Sequence, residues 1–378
     1  VNQLRLKIEQ EIRDRGPIPF SRYMELCLYD RDLGYYSRNA QQFGKAGDFY
    51  TSSDVHAVFG RLLARQFDEM WRALGSPRRI ELFELGPGRG LFAQDVLDWS
   101  EKKFPDFYRA LRYVLFESSP ALRERIKETL GDHLESGRAE LGTLDALDKT
   151  SGRNIPTIVF ANEFFDALPV EILGTKGSLR IDTRDGRFTE SWAQPSAGEL
   201  EFIDRYSVHP EPDERIEAPL AAQHFMEQMA ANIQHGFLVA IDYGYTREEQ
   251  LAGRHRGTLK ALRQHSISAN PYQAPGEQDI TADVNFTALA TAAHKQGMKT
   301  QKVITQSQFL MGIGEANQFA DAFEGCGLPQ ERAKVALQLK HLVTPAGMGE
   351  SFQVLIASKG IGPERVESLS GLKFGHRR

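Results

Sequence analysis

The sequence predicts an α/β protein built on a Rossmann-like, mostly parallel sheet. Three observations carry that reading: short apolar runs alternating with helical patterns from Ile80 onward, a glycine loop closing the first run, and an acid closing the second. Residues 80–85, 113–117, 138–141, 157–162, 237–242, 300–305 and 352–358 read as strands, enough for a seven-stranded sheet. The first two are followed by helical patterns at 90–99 and 120–130.

Ahead of the sheet, residues 1–75 read as a helical extension or cap. Leu4, Ile8 and Ile12 recur at helical spacing in its first fifteen residues, and Gly16-Pro17-Ile18-Pro19 and a glycine- and aromatic-rich stretch at 34–51 interrupt it. Residues 76–378 form the sheet domain, with two insertions. The first, 171–208, carries a hairpin pattern around Thr183-Arg184-Asp185-Gly186-Arg187. The second, 246–281, is expected to be a long polar loop of the kind that forms lids and binding loops.

Composition narrows the function classes. A formal charge of −5 and a pI near 6.1 oppose a general grip on nucleic acid, which needs a basic face to neutralise phosphates. Cys27 and Cys326 stand far apart, so neither a disulfide framework nor a cysteine zinc site is expected. Cys27, beside Met24 and Leu28, reads as core. The ten histidines lack the HExxH spacing, and no metal is expected. No apolar leader and no membrane insertion are predicted, and a reducing, cytoplasmic location fits. The oligomeric state is not legible.

Chemistry enters with Phe83-Glu84-Leu85-Gly86-Pro87-Gly88-Arg89-Gly90, which closes a strand and opens a helix. The spacing is G-x-G-x-G, not the G-x-G-x-x-G of dinucleotide sites, which opposes a nicotinamide dehydrogenase. S-adenosylmethionine brings a carboxylate and an ammonium group instead of a pyrophosphate. Amides of Gly86, Gly88 and Gly90 can serve the first, and Glu84 can lie near the second. At the end of the second strand, Glu117 can accept from both ribose hydroxyls; its bland alternative is a cap on the following helix. Asn162-Glu163-Phe164-Phe165-Asp166 ends the fourth strand. It reads equally as a seat for a guanidinium and as a helix start capped by Asn162.

The chain resembles the MidA type of methyltransferase, a family that includes a mitochondrial protein arginine methyltransferase assisting respiratory complex I assembly. The resemblance runs through Gly16-Pro17-Ile18-Pro19-Phe20, Leu33-Gly34-Tyr35-Tyr36, Gly47-Asp48-Phe49-Tyr50-Thr51-Ser52, the Glu84 to Gly90 loop, Asn162 to Val170, Asp242-Tyr243-Gly244 and Asp279-Ile280-Thr281. It implies the seven-stranded class I methyltransferase sheet with a substrate-side extension, S-adenosylmethionine as cofactor, and symmetric dimethylation of an arginine on a complex I subunit. It turns Asp48 and Thr51, by themselves part of a surface turn, into groups covering the cofactor. Glu163 then holds the guanidinium, with Asn162 and Asp166 orienting it. In Ala282-Asp283-Val284-Asn285-Phe286 the chain departs from the family, which carries a His and an Asp at the two polar positions. The competing readings are a non-catalytic cofactor-binding assembly factor and a methyltransferase with another acceptor.

Overall fold

The computed structural model describes residues 2–38, 57–143, 155–263, 266–268 and 270–374. The chain divides into two compact units, one of residues 50–163, 228–243 and 293–378, the other of residues 1–49, 164–227 and 244–292.

The first unit holds the large sheet. Its strands are β1 (Ile80–Leu85), β2 (Leu111–Phe116), β3 (Ala139–Gly142), β4 (Thr157–Asn162), β5 (Gly236–Tyr245), β6 (Lys299–Thr300), β7 (Ile304–Thr305) and β8 (Phe352–Lys359). They lie in the order β6-β8-β5-β4-β1-β2-β3, and β7 also pairs with β8. From β5 through β3 every pairing is parallel, whereas β8 runs antiparallel to β5. Every residue of β1 is buried, as expected of a central parallel strand covered on both faces. The covering helices include α1 (Leu91–Lys103) after β1 and α2 (Pro120–Thr129) after β2. An aromatic stack fills one layer: Phe92 lies 4.7 Å from Phe160 of β4, and Phe67, from the helix Ala57–Ala73, meets Phe160 edge-on at 5.4 Å. The Rossmann-like sheet is the one the sequence predicts. The expected strand at 300–305 is instead two short pairings against β8.

In the second unit the strand Gly177–Arg184 pairs antiparallel with Arg187–Ala193, closing the expected hairpin at Asp185-Gly186. Its other edge pairs with Glu171–Gly174 and with Ile18–Pro19, where Ile18 faces Ile181. Leu4, Ile8 and Ile12 of the helix Gln3–Arg15 pack into a core with Tyr23, Met24, Cys27, Ile172, Leu179 and Ile181. Burial pushes the Cys27 thiol up to about 12, consistent with a packing role. The segment expected to be a long loop differs from that reading. It forms a helix, Arg247–Leu251, and a three-stranded sheet of Ser266–Ser268, Lys260–Arg263 and Asp279–Thr281. These strands are too short for alternation to reveal them; Glu217, buried, ties the segment down by accepting from the Thr258 and Leu259 amides.

Candidate active site

Strand order places the site. From β1 the sheet proceeds through β2 and β3 in one direction and through β4 and β5 in the other, so the C-terminal ends of β1 and β4 flank a topological switch point. Leu85 of β1 is registered with Ala161 of β4, which sets the glycine loop beside Asn162. The loop turns through left-handed backbone at Gly86, Gly88 and Gly90, with φ of +64°, +55° and +79°. Only glycine adopts this routinely. Gly90 caps α1, and Gly86 donates its amide to the Phe116 carbonyl at 3.1 Å. Among the described residues, a Cβ at Gly88 would meet nothing within 4 Å, so they leave that approach open.

Two acids stand near this loop. Glu84 is buried and accepts from the Tyr113 hydroxyl at 2.8 Å. Desolvation, opposed by that hydrogen bond and reinforced by the charge of Glu117, pushes its carboxyl up to about 8. Glu117 follows β2 and is also buried; desolvation pushes it up to about 7, although the Ser119 amide donates to it at 2.8 Å. The helix cap is Ser119 rather than Glu117: its hydroxyl accepts from the Leu122 amide. A pair of acids with raised pKa at a sheet's carboxyl edge is the kind of perturbation that marks functional sites.

At the end of β4 the Asn162 amide donates to Glu163 Oε1 at 3.1 Å, and Asn162 Oδ1 is buried with no hydrogen-bond partner among the described residues. Glu163 has φ of +51°, a conformation that strains a residue with a side chain, and the Ile241 carbonyl holds its amide at 3.0 Å. Asn162 therefore starts no regular helix. Asp166 belongs to the other unit, where it is buried and its carbonyl accepts from the Ala282 amide at 3.0 Å.

Near Asp166 lies a contact that sequence reasoning did not find. The Tyr36 hydroxyl donates to Asp279 at 2.9 Å. Burial, then the charges of Asp279 and Asp166, push that hydroxyl well above its usual range. Both residues lie in segments that carry the family resemblance, the one signal that could have singled them out. The departing positions have structural work: Asp283 accepts from His255 and Lys260, while Asn285 donates to the Tyr206 carbonyl and accepts from the Ala288 amide. Asp48 and Thr51 lie outside the described residues.

Residues 62–304 match a family of S-adenosyl-L-methionine-dependent methyltransferases. The chain belongs to that family. The methyltransferase is also similar in structure, with a TM-score of 0.82 and 28% identity over 97% of this chain and 94% of the other, to a Burkholderia thailandensis protein crystallised with S-adenosyl-homocysteine. The protein arginine methyltransferase NDUFAF7 homolog, mitochondrial, of Drosophila melanogaster is 30% identical over 94% of this chain and 84% of its own length. The human mitochondrial NDUFAF7 is 27% identical over 90% and 80%. The glycine turns, the open approach at Gly88 and the acids near them suit the cofactor that this methyltransferase family uses. Among the described residues, no helix is long and apolar enough to cross a membrane.

Proposed function

We propose that this methyltransferase modifies an arginine of a protein, with a complex I subunit or its bacterial counterpart as the candidate partner. The observation that carries the reading is the likeness, over most of both chains, to relatives named protein arginine methyltransferases. The geometry at the end of β4 supports it. A carboxylate pairs with a guanidinium through two parallel hydrogen bonds, and Glu163 is held by Asn162 at the sheet edge beside the glycine loop.

When bound, the cofactor supplies a methyl group on a sulfonium. The chain's own work is to hold and align. The Gly86 and Gly90 amides are given to the Phe116 and Pro87 carbonyls, so of the three expected amides Gly88 is the one that would serve its carboxylate, on the turn that the other two glycines shape. Glu84 would balance its ammonium, Glu117 would accept from its ribose hydroxyls, and Asp48 and Thr51 would cover it. A guanidinium keeps its proton in water, with a pKa above about 12. With the cofactor bound, Glu163 would turn one guanidinium nitrogen toward the methyl and take that nitrogen's N–H proton as the N–C bond forms and the sulfonium C–S bond breaks, while Asn162 and Asp166 would restrain the orientation.

Mass spectrometry of a candidate subunit, incubated with cofactor and either wild type or Glu163→Gln, tests this. The variant should bind S-adenosylmethionine within a few-fold of wild type and lose about 10²-fold or more in turnover. Methylation of lysine, or arginine methylation undiminished in the variant, would sink the assignment.

A further inference from the structure

The unit formed by residues 1–49, 164–227 and 244–292 contains a cavity of about 510 Å³, whose described lining residues all belong to that unit. This lies within the size range of sites that take a side chain or small ligand. Ile172, Leu259 and Tyr272 give it apolar walls, and Glu190, Arg215 and Glu217 give it charge. The polar tier is preorganised. Arg215 grips Glu190 through two bonds of 2.8 and 2.7 Å, and the Tyr272 hydroxyl donates to the same Oε1 at 2.7 Å. Glu217 holds the 258–259 wall by its amides. Two carboxylates and one guanidinium thus line the cavity, and of the carboxylates Glu190 is the one that pairs with Arg215. Among the described residues Glu190 Oε2 accepts only from Arg215, which leaves it acceptor capacity, and the Glu190 side chain is 27% exposed.

We propose that this cavity takes a lysine or arginine side chain of the protein substrate, at a position other than the methylated arginine. The inference rests on the reading that the acceptor belongs to a protein. A long basic side chain matches the site in both halves: its methylene stem packs on Ile172, Leu259 and the Tyr272 ring, and its charged head reaches Glu190. A neutral apolar side chain would leave the remaining acceptor position of Glu190 without a partner. The cavity thus selects among arginines by what surrounds them.

The test uses labelled peptides with one central arginine and a single lysine moved along the chain on either side, against the lysine-free parent. Fluorescence anisotropy reads binding to the full chain, and methylation kinetics read KM and kcat separately. One lysine register should bind wild type about fivefold or more tighter than the parent and lower KM with kcat unchanged, as expected of binding shared by ground and transition states. Glu190→Gln should remove that preference and Glu190→Lys should reverse it toward a glutamate in the same register, both with S-adenosylmethionine affinity intact. The proposal is overturned if no register is preferred, or if the preference survives in both variants. Register-dependent binding without methylation of any arginine peptide would support the cavity's role and defeat the arginine reading, so the two failures are separable.

Discussion

In the ribose-binding role proposed for it, Glu117 carries a charge problem. Buried and pushed up to about 7, it holds its proton in part of the population at neutral pH, yet it must be a carboxylate to accept from both ribose hydroxyls. Affinity for a ribose-bearing ligand should therefore be full above about pH 7 and fall below it, by at most about tenfold per unit for one proton. Calorimetry with 5′-methylthioadenosine, which has the ribose but no amino acid, between pH 6 and 8.5 isolates this group from Glu84. Glu117→Gln should bind more weakly with the slope gone; an unchanged slope would assign the proton elsewhere. The place of Glu117 was legible because a strand's carboxyl end and the acid after it are adjacent in the chain. Tyr36 and Asp279 were not, because their hydrogen bond joins segments 243 residues apart. Asn162 was ambiguous between cap and seat, and the left-handed turn at Glu163 that decides against a regular helix start leaves no mark in residue type.

Among the elements, β1 and β4 have the bounds that their apolar runs suggest, since a central parallel strand is buried throughout and polar residues mark where it emerges. β5 runs further than its apolar run, to Tyr245, because Gly244 and Tyr245 find a new partner in Val284 and Asn285. No local pattern announces a partner that distant. The turn between β1 and α1 yields its own prediction. Alanine at Gly88 has room, so its penalty is the left-handed backbone, about 1–2 kcal/mol. Cofactor affinity should fall far more, by about tenfold or beyond, because the added methyl occupies the ligand's approach. A lowered melting temperature with unchanged cofactor affinity would mean that the open space at Gly88 is not the binding face.

The stability of the whole molecule bears the imprint of the same buried acids. A carboxyl whose folded pKa is raised contributes stability that is present below its ordinary value and lost as pH rises through the folded one. For Glu84 that window runs from the ordinary glutamate value of 4.5 to about 8. Glu84→Gln should accordingly unfold at higher denaturant than wild type at pH 8.5 without cofactor, with the advantage shrinking toward pH 5. Equal midpoints at both pH values would show that Glu84 ionises freely in the native state. Connectivity has another effect, on synthesis. Ile18 finds its strand partner only when Ile181 has emerged, and β5 finds one of its edges only when Phe352–Lys359 is made. Each unit is assembled from three separated stretches of chain. A ribosome-bound nascent chain halted before β8 therefore exposes the unpaired edge of β5 for the rest of translation, when pairing with another chain is the competing reaction. The window in which this protein most needs a chaperone is therefore set by the distance along the message between β5 and β8.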